Sequence, residues 1–216
     1  RPQVASTVLT GVDLERFRPG RDATELRRKW GITADDVLLV FTGWLYDFSG
    51  VDTIMHVLPE MPPSLKMLVV GTGEAESRLR ALRDSLGLHK RVVFTGRQAY
   101  ERMPDFMTAA EVCLMYSEPN PITRNIVPIK AFEYLACGRP VLASELPGMM
   151  REVPPGNGIT YAAKDELLPT IQNLLDPAFR EQEGLKARAF VHQHRDWSKL
   201  TDRFEHILST IIALKK

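Results

Sequence analysis

Cysteine is scarce in this sequence, and both cysteines, Cys113 and Cys137, lie within apolar runs. Two such residues do not provide the disulfide framework that stabilises small secreted domains. They are typical of buried thiols in a reducing compartment, because free cysteine packs as a small apolar side chain. We therefore expect a cytoplasmic protein.

Excess charge and long apolar runs are also missing. The net charge is +1, so the strongly basic surface of a nucleic-acid-binding protein is not expected, and no nucleic-acid partner is predicted. No apolar run reaches the roughly 20 residues that a membrane-spanning helix needs. No signal peptide is recognisable, and because the first residue is Arg1 we expect a fragment or a processed product of a longer protein.

Short apolar runs alternate with helical patterns through most of the chain. We predict strands at residues 37–41, 67–71, 91–96, 111–116, 140–144 and 158–162. The runs are nearly continuous, which indicates strands buried on both faces. Helices are predicted between them at residues 50–58, 74–86, 100–109 and 128–137. This alternation predicts an α/β fold with a doubly wound, Rossmann-like parallel sheet.

The last part of the chain is predicted to be helical, at residues 164–175, 178–194 and 197–214. In the final helix, large apolar side chains recur at helical spacing, namely Trp197, Leu200, Phe204, Ile207 and Ile211. From the spacing alone, the simplest interpretation is a helix packed on the body of the domain.

Parallel α/β sheets bind ligands beyond the carboxyl ends of their strands, so the loops there are the places to search. The loop after the second strand reads VGTGEAESRLR, and Glu76 stands where a dinucleotide-binding motif has its third glycine. Acidic residues there would repel a pyrophosphate, so we predict a tight turn and no NAD site.

The loop after the first strand, TGWLYDFSGVD, contains Trp44, Tyr46 and Phe48. These aromatics indicate either packing against a neighbouring domain or contact with a ligand.

The stretch PIKAFEYLACGRPVLAS, residues 128–144, places Lys130 in the first turn of a predicted helix. A cation is unfavourable there, because the helix dipole is positive at that end. Pro128 suits the first helical position. The free N–H groups that follow Pro128, around residues 128–131, with Arg124 and Lys130 nearby, predict an anion site. The alternative is an exposed lysine paired with a surface carboxylate.

Glu133 lies at the edge of the apolar face that we assign to this helix, formed by Ile129, Phe132, Leu135 and Ala136. A partly buried carboxylate needs a hydrogen-bonding partner. Lys130, three residues earlier, is one candidate. A pair of ribose hydroxyls, which a carboxylate accepts together, is the other.

Several segments in order resemble the C-terminal half of a GT-B glycosyltransferase of the retaining family 4. TGVDLERFRP is similar to the family's N-G-V-D-x-x-x-F-x-P segment, and LLVFTGWLYDFSGVDTI to its G-R-L-x-x-x-K-G unit. IKAFEYLACGRPVLAS matches the helix and strand that hold the second glutamate of the E-x7-E motif. The resemblance implies a lead-in segment (residues 1–20) from a missing N-terminal domain and a Rossmann-like nucleotide-sugar-binding domain (21–195). It also implies a C-terminal helix (196–216) that packs back toward the missing N-terminal domain.

The resemblance also implies a substrate, a UDP- or GDP-linked hexose transferred with retention, and it implies no cofactor and no metal. Glu133 would bind the ribose hydroxyls, and the loop with Arg97 and Gln98 would meet the base. The pyrophosphate would be cradled by Ile126, Val127, Pro128 and Ile129. The acceptor, a glycan, lipid or protein, would bind the missing domain, which usually carries a catalytic-side histidine. A lipid acceptor would place the enzyme at the inner face of the membrane.

Three positions depart from the family pattern. Trp44, after Gly43, stands where an arginine is usual, Ser49 where a lysine is usual, and Asn125 where the first glutamate of E-x7-E is usual. Arg124 and Lys130 then become the candidate cations for the diphosphate, and no residue is assigned as catalytic. A non-catalytic nucleotide-binding or interaction module on the same fold is the alternative. Another GT-B enzyme, such as an epimerase or a phosphorylase, is a further one.

Overall fold

The computed structural model describes residues 9–213. Its strands are β1 (Val37–Thr42), β2 (Leu65–Val70), β3 (Val92–Gly96), β4 (Val112–Met115), β5 (Val141–Ser144) and β6 (Ile159–Ala162). Its α-helices are α1 (Thr24–Lys29), α2 (Val51–Val57), α3 (Glu76–Ser85), α4 (Met103–Ala109), α5 (Ile129–Ala136), α6 (Pro147–Glu152), α7 (Leu167–Asn173), α8 (Pro177–His194) and α9 (Trp197–Ala213).

The strands form one six-stranded sheet in the order β3-β2-β1-β4-β5-β6, and every pairing is parallel. The predicted doubly wound parallel sheet is confirmed. The strand order reverses between β1 and β4, because β1 pairs with β2 on one side and with β4 on the other. The carboxyl ends of these two strands therefore form the topological switch point, where such sheets place their ligands.

Both faces of the sheet are buried, as the continuous apolar runs predicted. Successive residues of β1 face opposite sides: Leu38 and Val40 belong to one core cluster, and Leu39 and Phe41 to the other. The helices cover both faces, which explains why neither side of β1 carries the polar residues of a half-exposed strand.

Helix α6 was not predicted from the sequence, α1 was indicated only by Gly31 as a helix end, and one helix start was predicted wrongly. Both α1 and α6 have six residues, too few for a helical period to stand out. Pro128 is the N-cap of α5, with extended backbone angles, and Ile129 is the first helical residue. The prediction of Pro128 at the first helical position is therefore wrong by one residue.

The lead-in segment is described from residue 9 onward, and its first eight residues lie outside the described part. Phe17 is 1% exposed within the core, and the Val12 N–H donates to the Arg195 main-chain oxygen at 2.8 Å. The described part of this segment thus packs on the domain. Whether a further domain precedes it stays a prediction.

The last helix differs from the sequence prediction. Leu200 in α9 is 6% exposed, but Trp197, Phe204 and Ile211 are between 44% and 47% exposed. The prediction that the apolar stripe packs on the body is therefore correct for Leu200 and wrong for Trp197, Phe204 and Ile211, while Ile207 is partly buried. Within residues 9–213, no helix combines the length and the apolar character needed to span a membrane.

Candidate functional site

A cavity of about 580 Å³ opens at the carboxyl ends of β1, β4 and β5, and we call it the switch-point cavity. Its walls come from the loops that follow these strands and from the start of α5. The lining residues are Phe41, Gly43, Trp44, Tyr46, Phe48, Ser49, Met115, Ser117, Ile122, Thr123, Ile126, Pro128, Lys130, Ser144, Leu146 and Met149. The cavity lies at the edge of the sheet where the parallel topology predicts a ligand site.

The loop after β1 is held in place by glycines of the loop after β2. A Cβ atom on Gly71 would lie 1.9 Å from the Gly43 main-chain oxygen, and one on Gly73 would lie 2.4 Å from that of Leu45. These glycines therefore serve close backbone packing. The loop after β2 is also bonded to the acidic start of α3, since the Thr72 hydroxyl donates a hydrogen bond to the Glu76 carboxylate at 2.7 Å. The predicted tight turn is present.

The aromatics of the first loop form part of the cavity wall. The rings of Tyr46 and Phe48 stack with centroids 4.8 Å apart, and Trp44 and Tyr46 are about half exposed. The Trp44 indole N–H donates to the Glu74 carboxylate at 2.6 Å, which lowers the pKa of that carboxyl group. Hydrogen-bonded and stacked in this way, the loop presents fixed aromatic faces to whatever occupies the cavity.

Lys130 is the charged side chain of the cavity wall among residues 9–213. Its Nζ donates to the Thr42 main-chain oxygen at 2.8 Å and lies 4.1 Å from the centroid of the Phe41 ring. Burial lowers the pKa of Lys130 to about 8, and the charge of Glu133 opposes this shift in part. Within the described part of the chain, no carboxylate oxygen lies within 4.0 Å of Nζ, so the alternative pairing with a surface carboxylate is not formed.

Helix α5 also holds the end of β1 through Tyr134. The Tyr134 hydroxyl accepts a hydrogen bond from the Thr42 N–H and shares another with the Thr42 hydroxyl, both at 2.9 Å. Burial raises the pKa of Tyr134, so the phenol stays neutral. Sequence reasoning assigned no role to Tyr134, although its position beside Glu133 was the available signal.

Glu133 is buried, 6% exposed, and it does not line the switch-point cavity. Its Oε1 accepts a hydrogen bond from the Tyr100 hydroxyl at 2.8 Å. Burial raises the pKa of Glu133, while the Tyr100 hydrogen bond and the charges of Arg16 and Lys130 oppose the shift. The ion pair with Lys130, one of the two candidate partners, is not formed, because Lys130 reaches Thr42 instead.

The other predicted site residues separate into two groups. Gly43, Trp44, Ser49, Ile126 and Pro128 join Lys130 in the cavity wall. The rest lie outside it: Arg124, Asn125, Val127, Ile129, Arg97 and Gln98.

Arg124 and Asn125 are exposed, and Arg124 lines a separate depression with Glu145 and Pro147. Ile129 is 54% exposed, so its assignment to the apolar face of α5 is wrong, whereas Val127 packs against the core. Arg97 is exposed as well.

The Gln98 side-chain amide donates to the Thr95 main-chain oxygen at 2.9 Å, within the loop that follows β3. Cavity residues that sequence reasoning did not name come mainly from β4 and β5 and the loops after them, namely Met115, Ser117, Ile122, Thr123, Ser144, Leu146 and Met149. The strand ends were the available signal for these residues. In residues 9–213, no three or more His, Cys, Asp or Glu side chains cluster in a way that would hold a metal ion.

The sequence of this chain is similar to a family model and to several known proteins. The sequence model of a family described as "Glycosyl transferases group 1" matches residues 36–176. The chain is 30% identical over 213 residues to the GDP-mannose-dependent monoacylated alpha-(1-6)-phosphatidylinositol monomannoside mannosyltransferase of Corynebacterium glutamicum, covering 93% of this chain and 55% of that protein. It is 31% identical over 196 residues to D-inositol 3-phosphate glycosyltransferase 2 of Catenulispora acidiphila, covering 83% and 44%. The chain spans about half the length of the curated relatives it matches.

Solved structures show the same fold. Sucrose-phosphate synthase from Thermosynechococcus elongatus superposes with a TM-score of 0.82 at 25% identity, over 96% of this chain and 52% of that one. Anabaena HepE in complex with UDP and glucose superposes with a TM-score of 0.83 at 22% identity, over 97% and 58%. Both matches cover about half of the larger protein.

Proposed function

The chain belongs to the group 1 glycosyl transferases, and we propose that it is the half of such an enzyme that binds the nucleotide-sugar donor. The observation that carries the proposal is the switch-point cavity with Lys130 in its wall. A cavity of about 580 Å³ lies within the usual range for small-molecule sites. Its position is the one at which doubly wound sheets bind nucleotides.

Within this proposal the phosphates of the donor lie at the start of α5. The side chain of Lys130 and the free N–H groups of the helix start both attract an anion. The cation is in a partly apolar wall, where its field is screened less than in water. It would stabilise the negative charge that develops on the departing nucleoside diphosphate, which is electrostatic catalysis.

The sugar and the chemistry are also proposals. One relative is a GDP-mannose-dependent mannosyltransferase, and a structure of HepE is a complex with UDP and glucose. These support a hexose carried on GDP or UDP. Transfer with retention, without a metal or cofactor, completes the proposal. Nucleotide binding is expected to be unchanged in EDTA.

The acceptor and the other half of the enzyme lie outside this chain in our proposal. The chain spans about half of the relatives' length, and the half-exposed side chains of Phe204 and Ile211 on α9 suit a covered surface. We propose that a preceding domain covers α9, brings the acceptor and makes this chain inactive by itself. The acceptor is a glycan, a lipid or a protein, and a lipid would place the cytoplasmic enzyme at the inner membrane face.

Titration calorimetry of the chain with UDP, GDP, UDP-glucose and GDP-mannose tests the function. We expect binding in the high micromolar range, since half of the cleft is contributed elsewhere. Glu133→Gln and Lys130→Ala should each weaken it. Lys90→Ala, a matched change at an exposed lysine before β3, should not. A folded chain that binds none of the four ligands would contradict the proposal.

A second candidate is a nucleotide-binding module without transferase activity. Trp44 and Ser49 in the cavity wall favour it, because neither carries the charge that the family pattern places there. Transferase activity of a longer protein containing this chain separates the two functions. Turnover that depends on Lys130 supports the enzyme, and binding without turnover supports the module.

A further inference from the structure

Glu133 and Tyr100 form a hydrogen-bonded pair between two elements that are far apart in sequence. Tyr100 begins the 3-10 turn Tyr100–Arg102 that follows the loop after β3, and Glu133 lies in the middle of α5. The phenol donates to Glu133 Oε1 at 2.8 Å. In residues 9–213 no donor is bonded to Oε2, so one carboxylate oxygen remains open to a further partner.

Tyr100 is itself held in place from the lead-in segment. The Arg16 guanidinium lies 4.4 Å above the Tyr100 ring, and the Phe17 ring is 6.0 Å away. Arg16 also pairs with Glu101 at 3.7 Å, next to Tyr100 in the chain. A ring that is 50% exposed would otherwise move freely, and these contacts restrict it to the position that reaches Glu133.

Because Glu133 is buried, the hydrogen bond from Tyr100 affects how readily its carboxyl group ionises. A buried carboxylate resists ionisation, and hydrogen bonds to its charged form oppose that effect. The charged groups near it are Arg16 from the lead-in segment and Lys130 on its own helix. Two neutral titratable groups, Tyr134 and Cys137, are also close enough for its charge to affect their pKa values. No cation of residues 9–213 lies within 4.0 Å of the carboxylate, so the phenol of Tyr100 is its direct hydrogen-bond donor.

Tyr100 is suited to remain a donor at all relevant pH values. Burial and the hydrogen bond to Glu133 raise the pKa of Tyr100 to about 12. The phenol therefore keeps its proton throughout the neutral range. It satisfies one oxygen of Glu133 and leaves the other oxygen free for the hydroxyls of a sugar.

We propose that Tyr100 is a positioning residue that holds Glu133 charged and turned toward the ribose of the bound nucleotide. The inference rests on the proposed function, because it assigns the ribose to Glu133. In this proposal Tyr100, which lies outside the switch-point cavity, contributes to nucleotide affinity and makes that affinity depend on the ribose hydroxyls. It also links the lead-in segment, through Arg16, to the nucleotide site.

The test compares ribonucleotides with analogues that lack the ribose hydroxyls. Binding of GDP, UDP and their 2′,3′-dideoxy forms is measured by ligand-observed NMR for the unaltered chain and for Tyr100→Phe. The loss of one hydrogen bond to a charged group should weaken ribonucleotide binding about tenfold. Dideoxynucleotide binding should change less than about twofold, because those ligands do not use Glu133.

A matched control removes a phenol elsewhere. Tyr161→Phe deletes a hydroxyl that donates to the Val153 main-chain oxygen at 2.7 Å, away from the cavity wall. It should leave the affinity of both kinds of nucleotide unchanged. In addition, Tyr100→Phe should shift the loss of ribonucleotide binding in acid to higher pH, since Glu133 then ionises less readily.

The outcomes separate the inference from the function on which it rests. An unaltered chain that binds neither GDP nor UDP contradicts both. Ribonucleotide binding that Tyr100→Phe leaves unchanged contradicts the inference alone. An equal loss for ribonucleotides and dideoxynucleotides also contradicts it, because it indicates a general structural effect. A tenfold loss confined to ribonucleotides supports it.

Discussion

Lys130 Nζ donates to the main-chain oxygen of Thr42 at 2.8 Å and thereby joins the first turn of α5 to the end of β1. These residues are 88 positions apart in the chain, and they meet because β1 lies at the centre of the sheet. The contact explains how a lysine is accommodated at the positive end of a helix. When no anion is bound, the Thr42 main-chain oxygen and the face of the Phe41 ring stabilise the ammonium group.

The first prediction concerns the charge of Lys130. Lys130→Met keeps an unbranched apolar stem but removes the cation, so GDP and UDP should bind about 10- to 100-fold more weakly. Calorimetry measures the change. Lys90→Met, at an exposed position, is the control and should keep its affinity. Equal affinities of Lys130→Met and the unaltered chain would show that the phosphates lie elsewhere.

The second prediction is a fall of nucleotide affinity in alkaline solution. Burial lowers the pKa of Lys130 to about 8, so the cation is present below that pH and is lost above it. A bound anion favours the charged form, and the affinity should therefore fall by up to tenfold per pH unit above pH 8. Dissociation constants for GDP between pH 7 and 9.5 test this. The same series with Lys130→Met should be flat, and a parallel fall in that variant would assign the effect to another group.

The third prediction concerns stability. Tyr134→Phe removes the acceptor of the buried Thr42 N–H, so we expect a loss of about 1–3 kcal/mol in the free energy of unfolding. Urea denaturation measures it. Tyr161→Phe removes a donor from a less buried residue, and its loss should be smaller, about 0.5–1.5 kcal/mol. If both variants lose the same free energy of unfolding, the Thr42–Tyr134 contact does not stabilise the fold more than the Tyr161 contact does.

The fourth prediction uses two glycines that differ in their surroundings. A Cβ on Gly73 would lie 2.4 Å from the Leu45 oxygen, so Gly73→Ala should cost about 1–3 kcal/mol and displace the first loop. Gly31 has a φ of +67° and open space around it, so Gly31→Ala should cost about 1 kcal/mol through backbone strain alone. Nucleotide affinity should fall only in Gly73→Ala. Unchanged affinity in that variant would show that the loop does not shape the site.

The sheet could be predicted from the sequence because its strands are continuous apolar runs. Those runs identify β1 through β6, and regular alternation with helices leaves few topologies other than a parallel doubly wound sheet. The position of the candidate site follows from the same rule, since the loops after Phe41 and Ser144 were among the places to search. The exposed stripe of α9 did not follow from helical spacing, because spacing does not show which surface covers a helix; only the family resemblance placed this helix toward a missing domain.

The arrangement within the site depended on contacts that sequence spacing does not reveal. Arg124 and Lys130 were grouped because they are close in sequence, yet Arg124 lies in a 3-10 turn at Thr123–Asn125, whereas Lys130 lies in α5. The buried Thr123 fixes that turn by donating to the Glu118 oxygen at 2.7 Å, and Arg124 stays exposed. Tyr100 and Glu133 are 33 residues apart and meet only in the folded chain.

The most direct measurement is a crystal structure of the chain with GDP or UDP bound. We expect the diphosphate in the switch-point cavity, with a phosphate oxygen within 4 Å of Lys130 Nζ, a salt-bridge distance. We also expect the ribose hydroxyls at one oxygen of the Glu133 carboxylate, with Tyr100 still donating to the other oxygen. A diphosphate bound away from Lys130, or a nucleotide whose ribose does not reach Glu133, would contradict these expectations.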